Sequence, residues 1–251
     1  MMTWLKSSCT AVLTLALIAC ATAGSGDDSE AGADAAANTP DARPPGTPDA
    51  PPPGAPDAPV VGTPDAPPVP QSITLSHSTS LAITPGNSVS CNLDNLHADN
   101  SYYRVFDLPS LGVTSPLEIS KVTVGIETAL AGVGTTQPAT VRLHTLTGPL
   151  TLANLTLFGS VDIAVANQNE TLLDVPIAAT APAGSTVVVE VFTPDGQPSG
   201  HSFFIGSNTA GATGPSYLAA VDCSAAEPAD VAGLGFPDMH IVLTITGLHT
   251  P

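Results

Sequence analysis

The chain has 251 residues, of which only 11% are charged and 4% aromatic, with 26 prolines, 22 glycines and a formal net charge of −17. So acidic a balance makes nucleic acid and anionic membrane surfaces poor partners, and so few rings argue against a deep sugar cleft walled by stacked aromatics. The residues fall into an apolar start, a proline-rich middle and a long mixed stretch.

The start opens with the free amine and Lys6, then runs apolar from Ala11 to Ala19 apart from Thr14. That run suits the apolar region of an export leader and is too short to span a bilayer. It ends in Leu17-Ile18-Ala19-Cys20, an aliphatic residue three positions before a cysteine with a small residue just ahead of it. These residues resemble the bacterial lipobox, over the first 20 positions of the chain. The resemblance implies a signal peptide at residues 1–19, diacylglycerol on the Cys20 thiol and acylation of the new amine. Each buried methylene contributes about 0.8 kcal/mol, so more than one acyl chain gives stable attachment. Ala21 rather than aspartate follows the cysteine, which among diderm lipoproteins resembles cargo sent to the outer membrane. The competing expectation is cleavage at Ala19-Cys20-Ala21 or Ala21-Thr22-Ala23, both small-x-small, which releases a free secreted protein.

Residues 20–71 read as a lipid-anchored disordered linker. Octads begin at Thr39, Thr47, Ala55 and Thr63, each continuing Pro-Asp-Ala. A repeat this rich in proline has almost no apolar face to stack, so it does not read as a solenoid. Fixed φ and missing amide donors favour extended polyproline II with glycine joints. At about 3.1 Å per residue, the 51 residues from Ala21 to Gln71 reach on the order of 150 Å at full extension. Asp41, Asp49, Asp57 and Asp65 supply one carboxylate per octad, too few convergent oxygens for calcium, which takes about six to eight.

The stretch 72–251 is the size of one domain with a real core. Its predicted strands, in chain order, begin with Ile73 to Ile83 and Tyr102 to Leu108. Val122, Val124 and Ile126 then alternate with Lys121, Thr123 and Glu127, and Val141 and Leu143 with Arg142 and His144. Leu152 to Val165, Thr171 to Ile177, the set Val187, Val189 and Val191, Ser202 to Ile205, Ser216 to Ala219, and the set Ile241, Leu243 and Ile245 complete the series. Turn signals fall at Pro85-Gly86, Thr147-Gly148, Pro182-Ala183-Gly184 and Pro194-Asp195-Gly196. A helical turn is expected only at Glu227 to Leu234. The pattern predicts an all-β domain, a two-sheet antiparallel sandwich of jelly-roll type. No blade repeat points to a propeller, and the helices that parallel strands require are missing from the pattern.

Of the four cysteines, Cys9 lies in the leader and Cys20 is the lipid site, leaving Cys91 and Cys223. A disulfide between them is expected in an oxidising compartment; two buried free thiols are the alternative.

Cys91-Asn92, His97-Ala-Asp-Asn-Ser-Tyr-Tyr-Arg-Val-Phe-Asp107, Gly200-His-Ser-Phe-Phe-Ile-Gly-Ser-Asn208, Gly214-Pro-Ser-Tyr-Leu-Ala219 and Gly235-Phe-Pro-Asp-Met-His240 resemble a poorly characterised β-sandwich module of secreted and surface proteins of bacteria. The resemblance spans about Val89 to Gly247 and brings no established activity. It implies that Cys91 and Cys223 are paired, and it marks His97, Asn100, Arg104, Asp107, Asn208, Tyr217, Asp238 and His240 as recurring positions.

Two readings of these positions stand side by side. In one, His97, Asn100, Arg104, Asp238 and His240 form a shallow site for a sugar or peptide, with Tyr102, Tyr103 or Tyr217 as stacking surfaces. In the other, which we favour, Arg104 pairs with a carboxylate under a loop, while Asn100 and Asp238 tie down turn backbone. Asp94, Asn95, Asp99 and Asn100 bring hard oxygen ligands into one loop and are the candidate site for a structural calcium; Asn167 and Glu170 are a smaller group. Neither has EF-hand spacing, and such clusters are also ordinary turn chemistry.

The chain has no His-Glu-x-x-His, Gly-x-Ser-x-Gly, Walker loop or dinucleotide fingerprint. From Ser72 onward, 14 acidic residues face 3 basic ones, a balance of −11. The expectation is a surface-displayed, non-catalytic binding or adhesion module for a glycan, matrix protein or envelope component. A structural envelope protein without a small ligand is the alternative, and a secreted hydrolase comes third.

Overall fold

The computed structural model describes residues 2–6 and 68–251. The lipobox, Cys20 and the octads lie outside the described residues. The strands, in chain order, are β1 (Thr3–Lys6), β2 (Gln71–Ser76), β3 (Val89–Leu93), β4 (Leu96–His97), β5 (Asn100–Asp107), β6 (Leu117–Leu130), β7 (Thr136–Leu146) and β8 (Leu155–Ala166). They continue with β9 (Gln168–Ala181), β10 (Thr186–Thr193), β11 (Ser202–Ile205), β12 (Ser207–Asn208), β13 (Tyr217–Ala220), β14 (Ala225–Asp230), β15 (His240–Ile241) and β16 (Leu243–His249). Among the described residues there is no α-helix, and so no helix long and apolar enough to cross a membrane.

The architecture is the expected all-β antiparallel sandwich. One sheet has six strands in the order β14-β13-β5-β10-β7-β8. In the other, β6 pairs with β9 along one edge and with β16 and then β11 along the other, while β2 lies outside β16. Period-two alternation builds the core between them. Tyr102, Phe106, Val141, Leu143, Val187, Val189 and Val191 face inward from the six-stranded sheet. Val122, Val124, Ile126, Val175, Leu243 and Ile245 meet them from the other.

The lane beside β6 changes hands, from β16 to β11, where three backbones converge. Gly125 N–H donates to Val242 C=O at 2.8 Å, Gly206 N–H to Gly125 C=O at 2.6 Å, and Val242 N–H to Gly206 C=O at 2.9 Å. A Cβ on Gly206 would lie 2.6 Å from the Gly125 carbonyl carbon, so only glycine permits that approach.

Several elements differ from their sequence expectation. β2 stops at Ser76, well before Ile83, because His77 leaves the sheet to stack on Phe106 and Ser78 bridges to Ala212 instead. The Glu227 to Leu234 helical turn is corrected: residues up to Asp230 belong to β14, and only the following segment winds, closing with Phe236 N–H on Val231 C=O at 3.1 Å. Pro228 lacks a donor, which is harmless on the edge strand β14 and damaging inside a helix. The hairpin β3–β4 has no counterpart among the predicted strands; Asp94 and Asn95, at φ 51° and 65°, form its two-residue turn.

Cys91 in β3 and Cys223 are joined by a disulfide, with Cα atoms 5.8 Å apart and a sequence separation of 132. In the chain-entropy view, closing a loop of that size stabilises the fold by about 4 to 5 kcal/mol. The Cys91→Ser, Cys223→Ser double variant should lose about that much in equilibrium urea unfolding. A loss under about 1 kcal/mol would show that the bond restrains little of the unfolded chain.

Candidate functional site

The most developed polar site lies on the outer face of the six-stranded sheet, where β10 carries a carboxylate among valines. Alternation sends Val187, Val189 and Val191 into the core and leaves Glu190 on the opposite face. Register then places Glu190 directly beside Tyr103 of β5 and Arg142 of β7. The same row continues through Tyr217 to Asp230 on one side and to Ser160 on the other. In the adjacent row, Phe192 stands between Ser101 and Thr140.

Glu190 is only 5% exposed and both its oxygens are engaged. Oε1 accepts from Ser101 Oγ at 2.8 Å, Arg142 Nη1 at 3.0 Å and Tyr103 OH at 3.4 Å. Oε2 accepts from His144 Nε2 at 2.9 Å. Burial pushes the Glu190 carboxyl up, but the hydrogen bonds from His144 and Ser101 and the adjacent Arg142 charge outweigh it and hold the group below the usual carboxylate range. Burial and the neighbouring Glu190 raise the Tyr103 hydroxyl, so it stays a donor. Arg142 is gripped a second time, its guanidinium carbon 4.6 Å from the centroid of the Phe192 ring. Its side chain nevertheless remains 32% exposed.

A cleft of about 270 Å³ opens over this cluster, walled by Asp99, Ser101, Arg142, Leu152, Phe192 and Val221. A carboxylate with four donors on it holds a cation in place rather than taking up a proton. The arrangement is thus a preset guanidinium at the mouth of a mainly apolar depression with a few polar groups.

Of the predicted site residues, Tyr103 and Asp99 share this surface, while His97, Asn100, Arg104, Asp238 and His240 do not. Arg104 and Tyr103 are adjacent in β5 and point to opposite faces. Arg104 is fully buried, and its partners are carbonyls rather than the expected carboxylate: Nε and Nη2 donate to Ile241 C=O at 2.9 and 2.7 Å, and Nη1 to Gly214 C=O at 2.6 Å. Burial pulls its pKa down to about 10. Asn100 is buried and holds local backbone, accepting from Cys91 N–H at 2.8 Å and donating to Ala98 C=O at 2.9 Å. His97 is buried, donates to His201 C=O at 3.1 Å, and has its pKa lowered by that burial. Asp238 is exposed, and its carbonyl accepts from the Asn87 side chain at 3.1 Å. His240 lines a separate depression with Pro215, Asp230 and Phe236.

Of the candidate calcium ligands, Asp94 and Asn95 occupy the β3–β4 turn, while Asp99 accepts the Asp195 N–H at 2.6 Å. Among the described residues no group of three or more His, Cys, Asp or Glu is arranged to hold a metal ion.

Sequence reasoning missed Glu190, Arg142, His144 and Phe192 as a group. The usable signal was the lone carboxylate in Val-Val-Val-Glu-Val, paired with a strand alternating Arg142 and His144. Only the strand register, fixed by the fold, brings them together.

No protein-family model matches the chain, and no curated protein matches it. Seven chains among solved structures are similar. One comprises the cysteine protease and lectin-like domains of Cwp84, a surface layer associated protein of Clostridium difficile, at 13% identity and a TM-score of 0.43 over 65% of this chain. This chain spans 38% of that one.

Glu190→Gln keeps the shape of the cluster and removes its charge, so stability should fall by about 1 to 3 kcal/mol. Because the folded carboxyl lies below its unfolded value of about 4.3, its contribution is present above that pH and is lost as pH falls through the folded value. Melting temperatures followed from neutral pH down to about pH 2 should therefore drop less steeply for Glu190→Gln than for the parent. Parallel curves would contradict the assignment.

Proposed function

We propose that this chain is an exported lipoprotein of the cell envelope whose β-sandwich serves as a non-catalytic adhesion module for a glycan. The observation that carries the binding reading is Arg142, fixed by Glu190 and Phe192 while its outer edge stays open to the cleft. Preorganised donors of this kind lose little entropy when a ligand arrives. Asp99 and the Ser101 oxygen add acceptors suited to sugar hydroxyls, and Phe192 and Leu152 offer apolar surface to a ring face. The anchor reading rests on Leu17-Ile18-Ala19-Cys20 and on the acidic, proline-rich stretch that follows, with the outer membrane as destination from Ala21.

On a glycan array, the exported protein should bind one class of glycan saturably, and Arg142→Ala should weaken that binding at least tenfold, or about 1.4 kcal/mol. Lys121→Ala removes another cation, one paired with Asp174 on the other sheet, and should bind as the parent does. Binding that survives Arg142→Ala unchanged, or no binding to any glycan, would overturn the reading in favour of a protein partner. In cells, Cys20→Ser should move the protein from the detergent-extracted membrane to the soluble fraction. Retention in the membrane would refute the lipid anchor.

A further inference from the structure

The strand β1 belongs to the stretch that the lipobox reading removes, yet it fills a specific place in the fold. Thr3–Lys6 lies antiparallel on β3, with Thr3 opposite Asn92, Trp4 opposite Cys91 and Lys6 opposite Val89. β4 pairs with β3 on its other side, so β1 covers an edge that would otherwise be open. Cys91 turns its backbone inward, donating to Asn100 Oδ1 at 2.8 Å and accepting from Ala98 N–H at 2.9 Å. By the alternation of a strand, Ser90 and Asn92 aim their N–H and C=O groups at the incoming chain.

Side chains on alternate residues of β1 read the surface around that edge. Trp4 packs against Cys91, Ala98 and Ala220, a slot of small residues that Cys223 joins through the disulfide. Met2 joins the same cluster, its sulfur 3.8 Å from Gln197 Nε2. Lys6 Nζ stands 5.8 Å from the centroid of Phe236. An apolar, an aromatic and a basic residue at successive every-other positions are thereby accommodated.

We propose that β3 is a strand-accepting edge. Once residues 1–19 are removed, an extended segment of a partner protein with the pattern apolar-x-aromatic-x-basic adds to it in the place of Thr3–Lys6. Backbone pairing supplies the ladder, and the slot beside Cys91–Cys223 selects the aromatic side chain. The 14 acidic against 3 basic residues from Ser72 onward favour a basic partner segment. The proposal rests on leader removal and is independent of the glycan cleft.

Trp4 is the sole tryptophan of the chain, so the protein beginning at Cys20 has none. The probe is a blocked synthetic peptide with the sequence of Met2 to Lys6, whose indole emission reports seating. Titrated with mature protein extracted from membranes, the peptide emission should shift to the blue and saturate. A peptide with serine in place of tryptophan should compete at least tenfold more weakly than the parent peptide. The full chain with its first residues retained and the disulfide formed should show the blue-shifted emission unaided and refuse dye-labelled peptide. Arg142→Ala should leave peptide binding unchanged, which separates this edge from the glycan site. Emission characteristic of free peptide when about 1 mM peptide is mixed with excess mature protein would overturn the proposal. So would mature protein that still carries Thr3–Lys6, since its edge would already be filled.

Discussion

A guanidinium enclosed between two sheets is tolerable only when its donors meet acceptors, and Arg104 meets them with main-chain carbonyls. That choice ties β5 to the end of β15 and to the loop ahead of β13, three segments distant in sequence. Ile241 is held from its other side as well, its N–H donating to Ser216 Oγ at 2.9 Å. Its neighbour Val242 enters the crossing of Gly125 and Gly206, where β6 exchanges one partner for another. The inward residue Arg104 thus sets the register of β5, and the residue before it, Tyr103, faces outward beneath Glu190. Core and cleft are organised by successive positions of one strand.

The three basic residues after Ser72 are all committed to distinct partners. Arg104 binds carbonyls inside, Lys121 meets Asp174 at 2.9 Å on an exposed face, and Arg142 meets Glu190 at 3.0 Å in the cleft. The exposed pair contributes little to stability, because water screens it. The cleft pair differs, since Glu190 is buried and removing Arg142 would leave its charge one donor short. In a domain so acidic, the half-open Arg142 is also the local exception to a negative surface.

Strand pattern makes the all-β class legible, because Val122, Val124 and Ile126, or Val187, Val189 and Val191, alternate cleanly with outward residues. The short pieces are harder. β3 reads Val-Ser-Cys-Asn-Leu, with buried Ser90 and Asn92 where an apolar alternation would mark a strand, and its turn uses Asp94-Asn95 without a glycine. The cysteines point to their bond because arithmetic leaves one pair once those in the expected leader and lipobox are set aside. Side-chain constellations are least legible, since a site on a sheet depends on register among strands far apart in the chain. Tyr103, Arg142 and Glu190 come from three such strands, whereas the contiguous polar segment from His97 to Arg104 has the look of a site and divides between two faces.

The first strand after the proline-rich stretch, β2, is also an outermost strand, and its Gln71 pairs with His249 near the far end of the chain. Under the anchoring proposed above, a pull arriving at Gln71 meets that rung first, then Ser72 with Leu248, and so on to Ser76 with Thr244. Rungs loaded in succession break singly, at lower force than a ladder sheared all at once. Mechanical yielding would then begin at β2, as a small unpeeling that leaves the disulfide and the Glu190 cleft intact.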